Sequence, residues 1–121
     1  MLDKNYEKIF QSFYDDKIKG NYYLFHFDER WDQFDKKIYE KVIFIIEKVS
    51  KKNKIIITAG LENFFLLKIL EEKYNIYNFN YDKFSQHKLN RDSKNISLLK
   101  NLPLDLLAHF IKNSDKNFSA H

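Results

Sequence analysis

The segment Lys54-Ile55-Ile56-Ile57-Thr58 constrains the fold more than any other part of this sequence. Three consecutive β-branched residues between a lysine and a threonine, followed by Ala59-Gly60, predict a short buried strand. Strands of this kind are typical of sheets that are covered by helices, so the segment favours an α/β protein.

Three further runs have the length and apolar content of short strands, and they occupy residues 22–27, 76–79 and 117–120. Apolar residues at helical spacing predict four helices. The first ends near Gly20, the second runs from Ile38 to Val49, the third covers about residues 62–74, and the fourth starts at residues 102–105. The polar segment 80–95 is predicted to be irregular.

Strands that alternate with helices of this length predict parallel βαβ units. Right-handed crossovers between such strands place helices on both faces of the sheet. The predicted fold is therefore α/β, with a parallel sheet, flanking helices and a preceding N-terminal helix. We expect residues 1–20 to form a linker helix and residues 21–121 to form one domain.

The composition excludes several classes of site. The chain has no cysteine, which rules out disulfide frameworks, thiolate metal sites and cysteine nucleophiles. Two glycines, Gly20 and Gly60, cannot form a glycine-rich phosphate loop, and the four histidines lack metal-ligand spacing. His109 is interpreted as structural and His87 as solvated. We expect no metal and no cofactor.

Charge and hydropathy indicate a soluble protein. The formal net charge is +4, and lysines interleave with acidic residues, which favours an ordinary solvated surface. The longest apolar stretch, Val42 to Ile46, is far below membrane-spanning length. The first residues lack the pattern of a signal peptide, so we expect a cytoplasmic location.

Two predicted strand ends carry candidate binding residues, because open α/β sheets bind ligands at the carboxyl ends of their strands. After the first strand, Arg30 is suited to hold a phosphate, and the alternative is a surface ion-pair cluster with Trp31 covering the core. After the second strand, Gly60 allows close backbone approach. Glu62 starts a helix whose N-terminus suits an anion or a ribose hydroxyl, and the alternative is a purely structural carboxylate.

Several segments also match the order and spacing of a known family, and they are Tyr23 to Phe27, Arg30-Trp31, Ile55 to Gly60 with Glu62, Leu102 to Ile111, Asn113-Ser114-Asp115 and Asn117 to Ala120. In this order they resemble the C-terminal half of ADP-heptose:lipopolysaccharide heptosyltransferase-like glycosyltransferases, which have the two-lobed GT-B fold. The resemblance covers nearly the whole chain after Gly20. Two departures are Asp28-Glu29, where the family has a Gly/Ser/Thr-rich loop, and His121, where the family's Asp-Ser/Thr-Gly motif would begin.

The resemblance implies a Rossmann-like lobe that binds a nucleotide sugar of the ADP type. The implied nucleotide-sugar-binding residues are Arg30, Thr58, Gly60, Glu62 and His121. Arg30 would steady the diphosphate, while Gly60 and Glu62 would face the nucleoside. The catalytic base of such enzymes lies in the N-terminal lobe. The resemblance therefore implies a C-terminally truncated domain with no catalytic residue, inactive alone, whose partner is a missing N-terminal lobe or a second copy.

Two other functions stay open from the sequence. The absent closing motif and the many ordinary core aromatics also fit a non-catalytic α/β interaction module. Nucleic-acid binding through lysines and exposed tyrosine or phenylalanine rings is the third interpretation. The positive charges do not cluster along the chain, so no specific nucleic-acid partner is expected.

Overall fold

The computed structural model describes residues 4–28, 35–59, 65–81, 83–88 and 95–119. These residues form a π-helical segment, Tyr14–Ile18, and four α-helices, which are α1 (Lys4–Phe13), α2 (Lys36–Ser50), α3 (Phe65–Lys73) and α4 (Leu104–Asn113). They also form six strands, which are β1 (Tyr22–Phe27), β2 (Lys54–Ala59), β3 (Asn75–Asn80), β4 (Lys83–Lys88), β5 (Ile96–Lys100) and β6 (Lys116–Ser119). The predicted α/β class with an N-terminal helix is confirmed.

The six strands form one sheet in the order β4-β3-β5-β2-β1-β6. Neighbouring strands are parallel except β3 and β4, which form an antiparallel hairpin at one edge. The chain steps in one direction along the sheet from β1 to β3, and in the opposite direction from β5 to β6. Because crossovers are right-handed, this reversal explains why α2 and α3 cover one face while α4 covers the other.

Each face of the sheet carries its own hydrophobic core. The α2–α3 core contains buried residues from those helices and from the facing sides of the strands, namely Phe25, Phe27, Tyr39, Ile46, Ile55, Ile57, Ala59, Leu66, Leu67, Leu70, Tyr74, Ile96 and Leu98. The α1–α4 core on the opposite face contains Phe10, Phe13, Ile18, Tyr22, Leu24, Ile56, Tyr77, Phe79, Leu99, Leu106 and Phe110. The alternation of Ile55, Ile56 and Ile57 between the two cores makes β2 a central strand.

One buried tyrosine hydroxyl makes a hydrogen bond in each core. Tyr22 donates to the carbonyl oxygen of Phe110 at 2.5 Å, which satisfies a carbonyl in the last turn of α4. Tyr74 donates to Oε1 of Glu47 on α2 at 3.0 Å. Burial raises the pKa of both phenols, with smaller contributions from Tyr14 at Tyr22 and from Glu47 at Tyr74.

The prediction of an irregular segment over residues 80–95 is wrong, because β4 lies within it. Strand β5 follows at a place where no strand was predicted. Residue Tyr81, between β3 and β4, has φ 49°, the left-handed conformation that two-residue hairpin turns use. The sheet is therefore mixed rather than wholly parallel, and it gains two strands that the sequence pattern does not reveal.

The end of the first helical region also differs in detail from expectation. The left-handed residue that ends it is Lys19, with φ 56°, whose N–H bonds the carbonyl of Tyr14 at 2.8 Å. Gly20 follows it and does not supply the positive φ.

No helix among the described residues is long and apolar enough to cross a bilayer.

Candidate functional site

The carboxyl ends of β1 and β2 lie side by side at one edge of the sheet. The two strands are parallel and in register, with Phe27 opposite Ala59 at their last residues. The prediction that the first two strands run in parallel is confirmed. Loops that follow these strands therefore leave the sheet at a common edge, where ligands of open α/β sheets bind.

Strand β6 joins this edge from the other side of β1. It is parallel to β1, with Ser119 opposite His26. The chain reaches β6 through α4 after passing over β2 and β1, so the strand order reverses between β1 and β6. In open α/β sheets, such a reversal marks the place at the carboxyl edge where ligands bind.

A polar row crosses the sheet one residue before this edge. Ser119, His26 and Thr58 occupy matching positions on β6, β1 and β2. His26 and Thr58 share the face of the α1–α4 core, since Leu24 and Ile56, two residues earlier on β1 and β2, belong to that core. Thr58 is buried and His26 is half-buried. The row thus runs from the buried Thr58 on β2 to the edge strand β6.

Thr58 and His26 form a hydrogen-bonded pair within this row. His26 Nδ1 lies 2.8 Å from Thr58 Oγ1, and Thr58 is 1% exposed. A buried hydroxyl needs such a partner, because an unpaired one loses its hydrogen bonds to water on folding. The imidazole donates to the hydroxyl in one tautomer and accepts from it in the other. The pair can therefore fix the ring of His26 in place near the carboxyl end of β1.

Of the five predicted site residues, the structure describes Thr58 alone. It lies at the carboxyl end of β2, as expected, but its hydroxyl is turned into the sheet interior and bonded to His26. Arg30, Gly60, Glu62 and His121 lie outside the described residues. Whether these four residues share one rim with Thr58 stays a prediction.

His26 is the site residue that sequence reasoning missed. It lies in a run of aromatic residues that predicts a buried strand, and this context suggests a packing role in the core. It also lacks metal-ligand spacing to another histidine. The only sequence signal is the shared position of His26 and Thr58, each one residue before the end of its strand. That signal becomes meaningful only when the register of β1 against β2 is known.

The remaining described histidines offer no second polar site. His109 on α4 is buried, and its ring stacks on Phe10 with centroids 6.3 Å apart. His87 is exposed on β4. Among the described residues, no three histidine, aspartate or glutamate side chains come together in a group that could hold a metal ion.

Comparison of the chain with protein-family models, with curated proteins and with solved structures found no match.

Proposed function

We propose that this chain is the nucleotide-sugar-binding lobe of a glycosyltransferase that acts in lipopolysaccharide or glycan synthesis and is inactive alone. The reversal of strand order between β1 and β6 carries the proposal. The five strands β3-β5-β2-β1-β6 are all parallel, and the strand order reverses beside β1, as it does beside the first strand in the 3-2-1-4-5-6 order of dinucleotide-binding folds.

In the proposed complex the diphosphate lies beside the carboxyl end of β1. Arg30, two positions after Asp28 in the sequence, supplies the cation, and Gly60 follows β2 where the backbone must come close. Glu62 accepts hydrogen bonds from the ribose, and His121 closes the site after β6. His26, held by Thr58, lines the floor. A second lobe supplies the catalytic base, and the donor is a cytoplasmic ADP-sugar.

Titration of the ¹⁵N-labelled chain with ADP and with ADP-glucose tests the proposal. We expect saturable amide shifts at Arg30, at residues 58–62 and at His26, with dissociation constants on the order of 1 mM, because one lobe alone encloses only part of the ligand. The variant Arg30→Ala should weaken binding about tenfold or more, since it removes a charge-assisted contact with the diphosphate.

Arg91→Ala is the matched control, because Arg30 and Arg91 are the only arginines of the chain. Arg91 lies between Lys88 and Ile96, whose strands place both residues at the amino edge of the parallel sheet. This variant should bind ADP as the unmodified chain does. Equal weakening by both variants, or shifts spread over lysines on every face, would contradict a nucleotide site at the carboxyl edge.

A second candidate is a non-catalytic interaction module, which the outer surface of α2 favours. Phe44 and Ile45 are 66% and 51% exposed there, beside Lys37, Glu40 and Lys41. Exposed apolar neighbours of this size are typical of protein-binding surfaces. Sedimentation that depends on concentration and is abolished in Phe44→Ser, together with no response to ADP, would support this function.

A further inference from the structure

The outermost strand β4, on the opposite side of the sheet from β6, borders a cleft. It lies between the α1 and π-helical region on one side and the β3–β4 hairpin on the other, with a volume of about 570 Å³. Phe84 and Gln86 form its wall on β4, and Lys8 and Lys17 stand on the helical side. Because β4 and β6 are the two outermost strands, this cleft is separate from the carboxyl ends of β1 and β6.

The cleft is positively charged. Among the described residues that line it, three are lysines, Lys8, Lys17 and Lys83, and one is a carboxylate, Asp16. Asp16 lies 3.5 Å from Lys17, so its charge is already matched by a neighbour in sequence. Lys8 and Lys83 are left as an excess of positive charge on opposite sides of the cleft. An occupant with negative charge is therefore favoured.

One long side of the cleft is a strand edge. Within the described part of the sheet, β4 has β3 as its single neighbour. Every second backbone N–H and C=O of an edge strand points away from its neighbour and can pair with another extended chain. Phe84 and Gln86, two positions apart, place their side chains on the cleft side of β4. A strand added to β4 would place alternate side chains over the cleft.

The aromatic rings of the cleft are already engaged with one another. Phe84 contacts Phe13 and Phe79, with ring centroids 4.6 and 5.2 Å apart. Tyr77 packs edge-on against Phe13 at 5.4 Å, and the ammonium of Lys17 lies 5.8 Å from the Tyr77 ring centroid. Single-stranded nucleic acids need open ring faces for base stacking, so this packing favours a peptide over an oligonucleotide.

A second copy of this chain is also disfavoured as the occupant. Antiparallel pairing of β4 with another β4 over its full length would set Lys83 of one chain against Lys88 of the other. Like charges directly opposite each other destabilise a strand pair. We propose that the free edge of β4 and its cleft bind an extended acidic peptide segment of another protein by strand addition, with the peptide carboxylates contacting Lys8 and Lys83.

The probe is an acetylated, amidated octapeptide of alternating glutamate and valine, titrated into the ¹⁵N-labelled full chain at low ionic strength. We expect saturable shifts along α1 and β4, and slower hydrogen exchange of the β4 amides that point away from β3. Slower exchange distinguishes strand pairing from charge attraction alone. The same peptide with lysine in place of glutamate should not bind.

The double variant Lys8→Glu/Lys83→Glu should weaken the glutamate peptide about tenfold or more, because both lysines would then repel it. The double variant Lys51→Glu/Lys52→Glu is the control, since it makes the same charge change in the turn after α2. Equal weakening in both variants, no saturable binding, or tighter binding of an octathymidylate at the same amides would overturn the proposal. Circular dichroism melting of each variant ensures that folded chains are compared.

Discussion

The α2–α3 core and the α1–α4 core lie on opposite faces of the same sheet, but they are built from different side chains. The α2–α3 core is mainly aliphatic, with buried isoleucines and leucines from two amphipathic helices and two strands. In the α1–α4 core, six of the eleven buried members are aromatic. The two faces therefore use different packing to cover one set of strands.

The aromatic core joins segments that are far apart in sequence. The ring of Phe13 lies 4.6 Å from Phe84, 5.4 Å from Tyr77 and 5.8 Å from Phe110, measured between centroids. These contacts connect the N-terminal helix to the hairpin and to α4. Large rings can span the gap between an edge hairpin and a helix, which shorter aliphatic side chains would leave open. Ring contacts therefore link the hairpin to the helices on the α1–α4 face, in addition to the pairing of β3 with β5.

The largest expected effect comes from removing a ring at the centre of the aromatic core. Phe110 is fully buried, and its ring lies 4.9 Å from that of Phe10. Phe110→Ala should lower the free energy of unfolding by about 3–5 kcal/mol in urea titration, through lost burial and a residual cavity. Phe118→Ala on β6 is the control, because Phe118 is 45% exposed and should lose much less. Equal losses of unfolding free energy in the two variants would show that Phe110 in the α1–α4 core is not packed more tightly than Phe118 on β6.

Neighbouring isoleucines of β2 test both cores from one strand. Ile56 faces the α1–α4 core and Ile57 the α2–α3 core, and both are buried. Ile56→Ala and Ile57→Ala should each lower the free energy of unfolding by about 2–5 kcal/mol. A loss below about 1 kcal/mol in either variant would mean that the corresponding face relaxes around the cavity. Guanidinium titration of the two variants side by side gives the comparison.

The two buried tyrosines predict loss of stability in alkali. Because burial raises the pKa of Tyr22 and Tyr74 in the folded state, the unfolded chain ionises first, at about pH 10. The contribution of each phenol to stability is therefore fully present below that pH. Above it, the free energy of unfolding falls by about 1.4 kcal/mol per pH unit for each phenol. Tyr22→Phe and Tyr74→Phe should each remove their share of this slope in urea titrations between about pH 9 and 11. An unchanged slope in either variant would contradict the burial argument for that tyrosine.

The smallest expected effect concerns the polar pair on the α1–α4 face. Thr58→Val keeps the shape of the buried side chain and removes its hydrogen bond with His26. We expect a loss of about 1 kcal/mol in the free energy of unfolding. Ser119→Ala, at the last residue of the edge strand β6, should change stability by less than about 0.5 kcal/mol. A larger loss in Ser119→Ala than in Thr58→Val would show that the row is not anchored at Thr58.

Four of the five parallel strands were predicted from the sequence, because each stands out as a short run with apolar residues, whereas β5 was not predicted. The prediction for β1 matches its bounds, and those for β2, β3 and β6 agree within one residue at each end. β4 was missed because its residues, Lys83 to Lys88, are almost all polar, as suits an edge strand. Its turn contains Tyr81-Asp82 in place of the glycine that usually signals a hairpin.

The site was less predictable than the fold for a physical reason. Strand ends can be located from local pattern, and this brought Thr58 to the carboxyl edge. Its partner His26 is 32 residues away, and their contact depends on the register between two strands. Neither propensity nor spacing encodes that register directly. A polar residue near the end of each of two neighbouring strands is the pattern to look for.

The position of β5 has a consequence for the order in which the molecule is assembled. The ribosome synthesises β1, β2, β3 and β4 before β5. These four strands form two separate pairs, β1 with β2 and β3 with β4. No described contact of the sheet joins those pairs until Ile96–Lys100 inserts between β2 and β3. A chain still emerging from the ribosome therefore exposes an unpaired side of β2 and another of β3 until β5 arrives, and its sheet closes late.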